Sequence, residues 1–210
     1  MKEGTILSFF SEKTNRYYKL MRTADLPFLE FSGIRMHCTK IGVKKSTQLM
    51  VSELHPLQGI CLDACAGLGY TSIEIAANPS VEKVYCFEID ENVIEIAKQN
   101  QPSKKLFNNK KIELRNEDII EGIKEFPENF FDRILHDPPS ISIAGELYSR
   151  KFYQELFRVL KPDGILFHRT GSTGQRHGAD LIGSTVKRLT DVGFKKVFRR
   201  EESHGVRAEK

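Results

Sequence analysis

No stretch of about 18 apolar residues, the length a membrane-spanning helix needs, occurs in the 210 residues of the chain. The start, Met1-Lys2-Glu3-Gly4, also lacks the charged-then-apolar layout of a secretory leader. Together these absences set the expectation of a cytoplasmic protein with no membrane partner. Cysteine is scarce as well: Cys38, Cys61, Cys65 and Cys86 are too few for a disulfide framework, and none stands in a CxxC pair or in a Cys/His cluster at zinc-ligand spacing. Buried reduced thiols and no metal are therefore expected. Internal repeats and low-complexity tracts are missing too, so solenoids and repeat arrays are excluded. What is present, 40% apolar and 29% charged residues, is the balance of a chain that buries one sizeable core.

The net charge of +4 is unevenly laid out. Residues 1–58 hold nine Lys/Arg against five Asp/Glu and residues 187–210 hold eight against four, so the middle of the chain is acidic. Basic ends around an acidic centre suit an acidic macromolecule gripped at two places. Ordinary solvated lysines produce the same count.

From residue 59 onward apolar runs alternate with helical stretches. Strands are expected at 59–62, 83–87, 111–115, 131–136 and 165–168, and helices at 70–77, 91–99, from 118 to about 126, at 149–160 and at 178–192, with a turn at 161–164. Five strand-then-helix units imply a doubly wound, mostly parallel sheet covered on both faces, with function at the carboxyl ends of its strands. Two further strands at 194–199 and 205–208, joined by a polar turn, bring the sheet to seven as an antiparallel hairpin. The first 57 residues read differently, with strands at 17–22, 28–31 and 34–38, a tight turn at Ser32-Gly33, and a helix 47–54 capped by Ser46 and ended before Pro56. The division expected is a β-rich extension over 1–57 that shapes the substrate cleft and an α/β domain over 58–210.

Chemistry concentrates where the strands end. Asp63-Ala64-Cys65-Ala66-Gly67-Leu68-Gly69-Tyr70-Thr71 is a glycine-rich turn whose backbone passes close to a bound molecule and opens a helix with free N–H donors. Asp63, Ala64, Cys65, Gly67, Gly69, Tyr70 and Thr71 are the expected contacts. A carboxylate at Asp63 suits a ligand carrying an ammonium or sulfonium rather than a pyrophosphate. Glu88, with Ile89 beside it, ends the next strand and is placed to accept from ribose hydroxyls. Glu117 and Asp118 follow the third strand, within reach of an adenine amino group. Three acids at three consecutive strand ends point to an adenosyl ligand bearing positive charge.

These residues resemble the class I S-adenosylmethionine-dependent methyltransferase family over 59 to about 208, which implies a Rossmann-like methyltransferase fold and S-adenosyl-L-methionine as cofactor. His136-Asp137-Pro138-Pro139-Ser140 resembles the Asp-Pro-Pro-aromatic motif of enzymes that methylate exocyclic amino groups of bases. The run from His136 to Tyr148 is similar to an archaeal group described as spermidine-synthase-like or as RNA methyltransferases. The resemblance implies methyl transfer to an exocyclic amine of an RNA base, cytidine N4 in ribosomal RNA, with RNA as the partner. The Asp137 carboxylate and the Pro138 carbonyl would accept the amine's N–H bonds, and the prolines would hold those acceptors in place. Ser140 departs from the motif's aromatic; Tyr148, Tyr153, Phe28 or Phe31 could stack instead. Arg35, His37, Lys44 and Lys45 are candidate phosphate contacts, and His136 and His168 are either catalytic or packing residues. The alternatives are an aminopropyltransferase of polyamines, against which the basic ends argue, an amine methyltransferase for protein or small molecules, and a non-catalytic RNA-binding module.

Overall fold

The computed structural model describes residues 4–171 and 180–210. Its first four strands, β1 (Gly4–Ser11), β2 (Arg16–Arg22), β3 (Phe28–Phe31) and β4 (Ile34–Arg35), pair antiparallel in chain order. Period-two alternation sorts this sheet: Tyr18, Leu20 and Leu29 are buried, whereas Tyr17 is exposed. Ser32 and Gly33 both take positive φ, 43° and 88°, the backbone that a two-residue hairpin turn requires. β1 was not expected from the sequence, and the strand expected at 34–38 stops at Arg35.

The helix expected at 47–54 is instead α1 (Val43–Ser52). Ser46 is not its cap but a buried residue of its first turn, whose N–H donates to the Gly42 carbonyl at 3.0 Å. Capping comes from a distant loop, where the Asp25 carboxylate accepts from the Lys44 N–H at 3.0 Å. A partner 19 positions away in the chain leaves no local signal to read.

Strands and helices then alternate through β5 (Gly59–Asp63), α2 (Tyr70–Ala76), β6 (Val81–Phe87), α3 (Glu91–Gln99), α4 (Lys104–Asn108) and β7 (Ile112–Arg115). They continue with α5 (Ile119–Gly122), β8 (Phe131–His136), α6 (Arg150–Val159), β9 (Leu160–Arg169), α7 (Leu181–Val192), β10 (Lys195–Arg200) and β11 (Gly205–Glu209). The sheet order is β10-β11-β9-β8-β5-β6-β7, with β5 to β9 parallel and β11 and β10 antiparallel. This is the expected seven-stranded, mostly parallel α/β sheet with a closing hairpin.

Neighbouring residues on one strand feed opposite cores, which is what winding helices over both faces requires. Leu62, Ile134 and Leu166 pack with Phe152, Leu156 and Leu189 of α6 and α7. Cys61, Leu135 and Ile165 pack with Met50 and Val51 of α1 and Ile75 and Ala76 of α2. The turn expected at 161–164 is present as a bulge inside β9: pairing jumps from Phe131↔Leu160 to Arg133↔Ile165, and Asp163 takes a φ of 61°. The sequence reading passed over α4, and residues 178 and 179 of the helix expected at 178–192 lie outside the described residues.

The N-terminal sheet shares a core with the helices flanking the glycine-rich turn. Tyr18, Leu20, Phe28 and Leu29 pack with Leu68, Tyr70, Val93, Ile96 and Leu106. Each such large apolar side chain contributes about 1.5–3 kcal/mol on burial. Tyr70 fastens the two parts: its hydroxyl donates to the Pro27 carbonyl at 3.0 Å and accepts from Asn100 Nδ2 at 2.7 Å.

Two glycines separate backbone from packing in this corner. Gly67 (φ 54°) has open space where a Cβ would lie, while at Gly69 (φ 79°) a Cβ would meet Leu106 Cδ2 at 2.6 Å. Gly67→Ala is expected to cost only the left-handed backbone penalty of about 1–2 kcal/mol. Gly69→Ala adds about 1–3 kcal/mol of overpacking, and each kcal/mol lowers the melting temperature by about 2–4 °C. Thermal denaturation of the two variants checks this; equal losses would contradict it.

Candidate active site

From β5 the chain crosses to β6 on one side, while β8 lies on the other, so the connections diverge and a crevice opens beyond the strand ends. A cavity of about 910 Å³ occupies it, bounded by the segments after β5, β6, β7, β8 and β9 and by residues 34–47 of the N-terminal part.

Carboxylates gather on one side of this cavity: residues 88–90 and 117–120 supply Glu88, Asp90, Glu117 and Asp118 to its wall, and Arg16 of β2 lines it near Ile89 and Asp90. Glu88 Oε2 accepts from the Gly67 N–H at 3.0 Å and Oε1 from the Asp90 N–H at 2.9 Å, so the acid at the end of β6 holds the glycine-rich turn in position. Burial pushes the Glu88 carboxyl up to about 7, against the two N–H donors that favour its charge. Asp118 caps α5 by accepting from the Ile120 N–H at 2.9 Å, and Glu117 faces Arg115 at 3.6 Å. Exposed Ile89 offers this wall an apolar surface.

Asp63 is fully buried and does not line the cavity. Its Oδ2 accepts from the hydroxyls of Thr71 and Ser72, both at 2.6 Å, while Oδ1 is buried without a hydrogen-bond partner. Burial raises its carboxyl to about 6. Asp63 therefore sets the turn from beneath, and Ala64, Cys65, Gly67, Tyr70 and Thr71 present the surface above it. Gly69 also lies off the cavity wall. Cys61 and Cys86 are buried, as expected of all four thiols, but Cys38 and Cys65 are half-buried on the cavity wall.

Across the cavity, Asp137, Pro138, Pro139 and Ser140 come together with Tyr148 as expected. The Tyr148 hydroxyl donates to the Pro139 carbonyl at 2.9 Å and pins the 137–148 segment. Unexpected is Arg169 at the end of β9, whose Nη1 donates to Asp137 Oδ1 at 3.1 Å. The register His136↔His168 puts these two residues side by side on adjacent strands. Only the pairing of β8 with β9 exposes that relation, so no motif scan reaches it.

His136 is fully buried outside the cavity wall, its Nε2 3.0 Å from the Leu147 carbonyl and its ring stacked on His168 at 4.5 Å. Burial lowers both imidazoles, His168 to about 4. They support the floor beneath Asp137 and stay neutral. Of the aromatics expected to stack on a substrate, Phe31 and Tyr148 reach the cavity, and Phe28 and Tyr153 are buried away from it. Arg35 and His37 line the cavity; Lys44 and Lys45 are exposed outside it, because the face of α1 that meets the wall carries Val43, Ser46, Thr47 and Met50.

The acid that grips the turn yields a pH test. If Glu88 accepts a ligand's ribose hydroxyls, its ionised form does so better than the neutral acid, so affinity for adenosine is expected to climb by up to about tenfold per pH unit below 7 and to level off above it. Calorimetry across that range checks it, with Glu88→Gln expected to flatten the profile. A flat profile in the unmodified protein would contradict the assignment.

A model of the spermine/spermidine synthase domain family matches residues 64–196. An uncharacterised protein of Methanocaldococcus jannaschii is 43% identical over all of this chain and 72% of its own length. Polyamine aminopropyltransferases of the same organism and of Moorella thermoacetica are 32% and 35% identical over 67% and 69% of the chain, which spans about half of their length (48% and 49%). The spermidine synthase structure from Thermotoga maritima superposes with a TM-score of 0.76 at 22% identity, over 97% of this chain and 71% of that one, a likeness of fold. These matches overturn the expected place among RNA base methyltransferases, which rested on Asp137-Pro138-Pro139 without the motif's aromatic. The chain belongs to the spermine/spermidine synthase domain family.

Proposed function

We propose that this chain transfers an aminopropyl group from decarboxylated S-adenosylmethionine to an amine. The observation that carries the reading is the set of strand-end acids gathered in one cavity, Glu88 and Asp118 suited to the ribose and adenine of an adenosyl donor and Asp137, across from them, to its positively charged end. The likeness to polyamine aminopropyltransferases supports the same donor. It replaces the expected methyl transfer from S-adenosylmethionine, and a small amine replaces RNA as the partner. Of the basic ends, Lys44, Lys45, Lys195 and Lys196 are exposed away from the cavity, while Arg16, Arg35 and Lys40 line it opposite or beside the acids.

The sulfonium makes the adjacent carbon electrophilic and leaves as a neutral thioether. An attacking amine must be unprotonated and must shed a proton as its new bond forms. Asp137 is the carboxylate placed to accept that proton, and Arg169 fixes its orientation through Oδ1. Residues 1–57 serve in this proposal as the extension that walls the cleft, and 58–210 as the donor-binding domain. No described helix is long and apolar enough to cross a membrane; a cytoplasmic site of action belongs to the proposal.

Purified protein incubated with decarboxylated donor and a panel of amines should release 5′-methylthioadenosine and an aminopropylated product identified by mass spectrometry. Methyl transfer from S-adenosylmethionine with no aminopropyl transfer would overturn the proposal. Asp137→Asn is expected to lower turnover by about 100-fold or more with donor affinity within a few-fold. Near-normal turnover would reduce Asp137 to a structural turn.

A further inference from the structure

Tyr18 of β2 is fully buried, its ring stacked on Phe9 at 5.3 Å and edge-on to Phe31 at 5.0 Å. A phenylalanine ring would fill the same space, so packing accounts for the ring and not for the hydroxyl. A hydroxyl taken out of water costs free energy unless it is bonded, and this one is bonded outside its own sheet. It donates to Asp90 Oδ2 in the loop after β6 and accepts from the Thr14 hydroxyl at 2.9 Å. Asp90 Oδ1 meanwhile caps α3, accepting from the N–H and the side-chain amide of Asn92, both at 2.9 Å. Both carboxylate oxygens of Asp90 are thus engaged within the protein, and its backbone N–H is the donor that Glu88 Oε1 receives at 2.9 Å.

An unbroken line of hydrogen bonds therefore runs from the N-terminal sheet to the glycine-rich turn, through Thr14, Tyr18, Asp90, Glu88 and the Gly67 N–H. Asn116 holds the same loop from the end of β7, donating to the carbonyls of Glu88 at 2.8 Å and Ile89 at 3.3 Å. Each Glu88 oxygen already receives one N–H and keeps a second lone pair for a ligand hydroxyl, so the direction of that lone pair depends on where the two N–H donors stand. Resting on the adenosyl-donor reading of Glu88, we propose that Tyr18 is a positioning residue for the donor: by holding Asp90 it holds the Glu88 carboxylate in the orientation that meets the ribose. The N-terminal extension then contributes to donor binding as well as to the wall of the cleft. Charge follows the same line, because the Tyr18 O–H draws the negative charge of Asp90 away from Glu88. The other titratable groups around Glu88 are Asp63 and Cys65 of the turn after β5 and Cys86 of β6, with Glu117 and Asp118 on the same wall. Lys13, Arg16 and Glu91 stand with Asp90 around a small adjoining cavity of about 210 Å³.

Two substitutions in the full chain test this with opposite signs. Tyr18→Phe keeps the ring and removes the donor, whereas Asp90→Asn keeps an oxygen for Tyr18 and for the cap of α3 and removes the charge. Carbon-13 NMR follows the Glu88 carboxyl in the ligand-free protein, its signal assigned by its loss in Glu88→Gln. The titration midpoint of Glu88 is expected to rise by about half a pH unit or more in Tyr18→Phe, where Asp90 keeps its whole charge and its N–H is no longer held on Oε1. In Asp90→Asn it is expected to fall by about as much. Below pH 7 adenosine should bind about threefold more weakly to Tyr18→Phe than to the unmodified chain. A lowered melting temperature in Tyr18→Phe with the Glu88 midpoint unmoved would make Tyr18 a fastener of the sheet alone and overturn the proposal. Should that variant not fold, an unmoved midpoint in Asp90→Asn overturns it, since the line of contacts passes through Asp90. Midpoints that move as expected while adenosine affinity is indifferent to pH and to Glu88→Gln would instead strike the adenosyl reading and leave the positioning of Glu88 by Tyr18 standing.

Discussion

Parallel pairing of β5 with β8, from Cys61↔Arg133 to Asp63↔Leu135, is the constraint on which everything at the site depends. The two strands are neighbours in the sheet but are separated in the chain by two complete strand-and-helix excursions, so the connections that leave their carboxyl ends must diverge. That divergence opens the crevice. Apolar side chains secure the pairing from both faces, Leu62 and Ile134 toward α6 and α7, and Cys61 and Leu135 toward α1 and α2. Asp132 adds a polar tie at the opposite end, accepting from the Ile60 N–H at 2.9 Å and from Lys161 Nζ at 2.7 Å.

On this frame the glycine-rich turn is held by buried carboxyls, and their burial has an energetic cost. Glu88 and Asp63 are carboxyls raised toward neutrality by burial, and a buried carboxylate is retained only where its hydrogen bonds or a cationic ligand offset desolvation. The hydroxyls of Thr71 and Ser72 satisfy one oxygen of Asp63 and leave the other without a partner, an arrangement that packing alone would not favour. Such groups cluster where function needs them. The Asp137–Arg169 pair lies across the cavity from Glu88, and in the proposed reaction it presents a carboxylate to the amine while contributing no net charge.

The sheet was legible because β5, β6, β8 and β9 each contain an apolar run that ends at a polar residue, while β7 alternates as Ile112-Glu113-Leu114-Arg115, and both patterns survive without knowledge of partners. Glu88, Asp118 and Asp137 were legible for the same reason, each sitting at a strand end. What escaped depends on tertiary pairing. Arg169 meets Asp137 through strand register, Asp25 caps α1 from across a loop, and β1 is an exposed strand with little apolar contrast. The expected partner and chemistry failed for a related reason: summed charge on the chain ends does not tell which cations are at the site, since Lys44 and Lys195 are exposed outside the cavity whereas Arg16, Arg35 and Lys40 line it beside the strand-end acids. Asp137-Pro138-Pro139 was likewise read as a base-methylating corner from its resemblance to a motif whose aromatic this chain lacks. The same three residues, with Ser140 in place of an aromatic and Tyr148 tied to the Pro139 carbonyl, form a pinned corner that the proposed function assigns to a different amine.

A crystal structure with decarboxylated S-adenosylmethionine bound tests the account most directly. The ribose should lie on Glu88 and the adenine toward Asp118, with the aminopropyl chain reaching toward Asp137. A donor seated instead along residues 34–40, or with its reactive carbon turned away from Asp137, would contradict it.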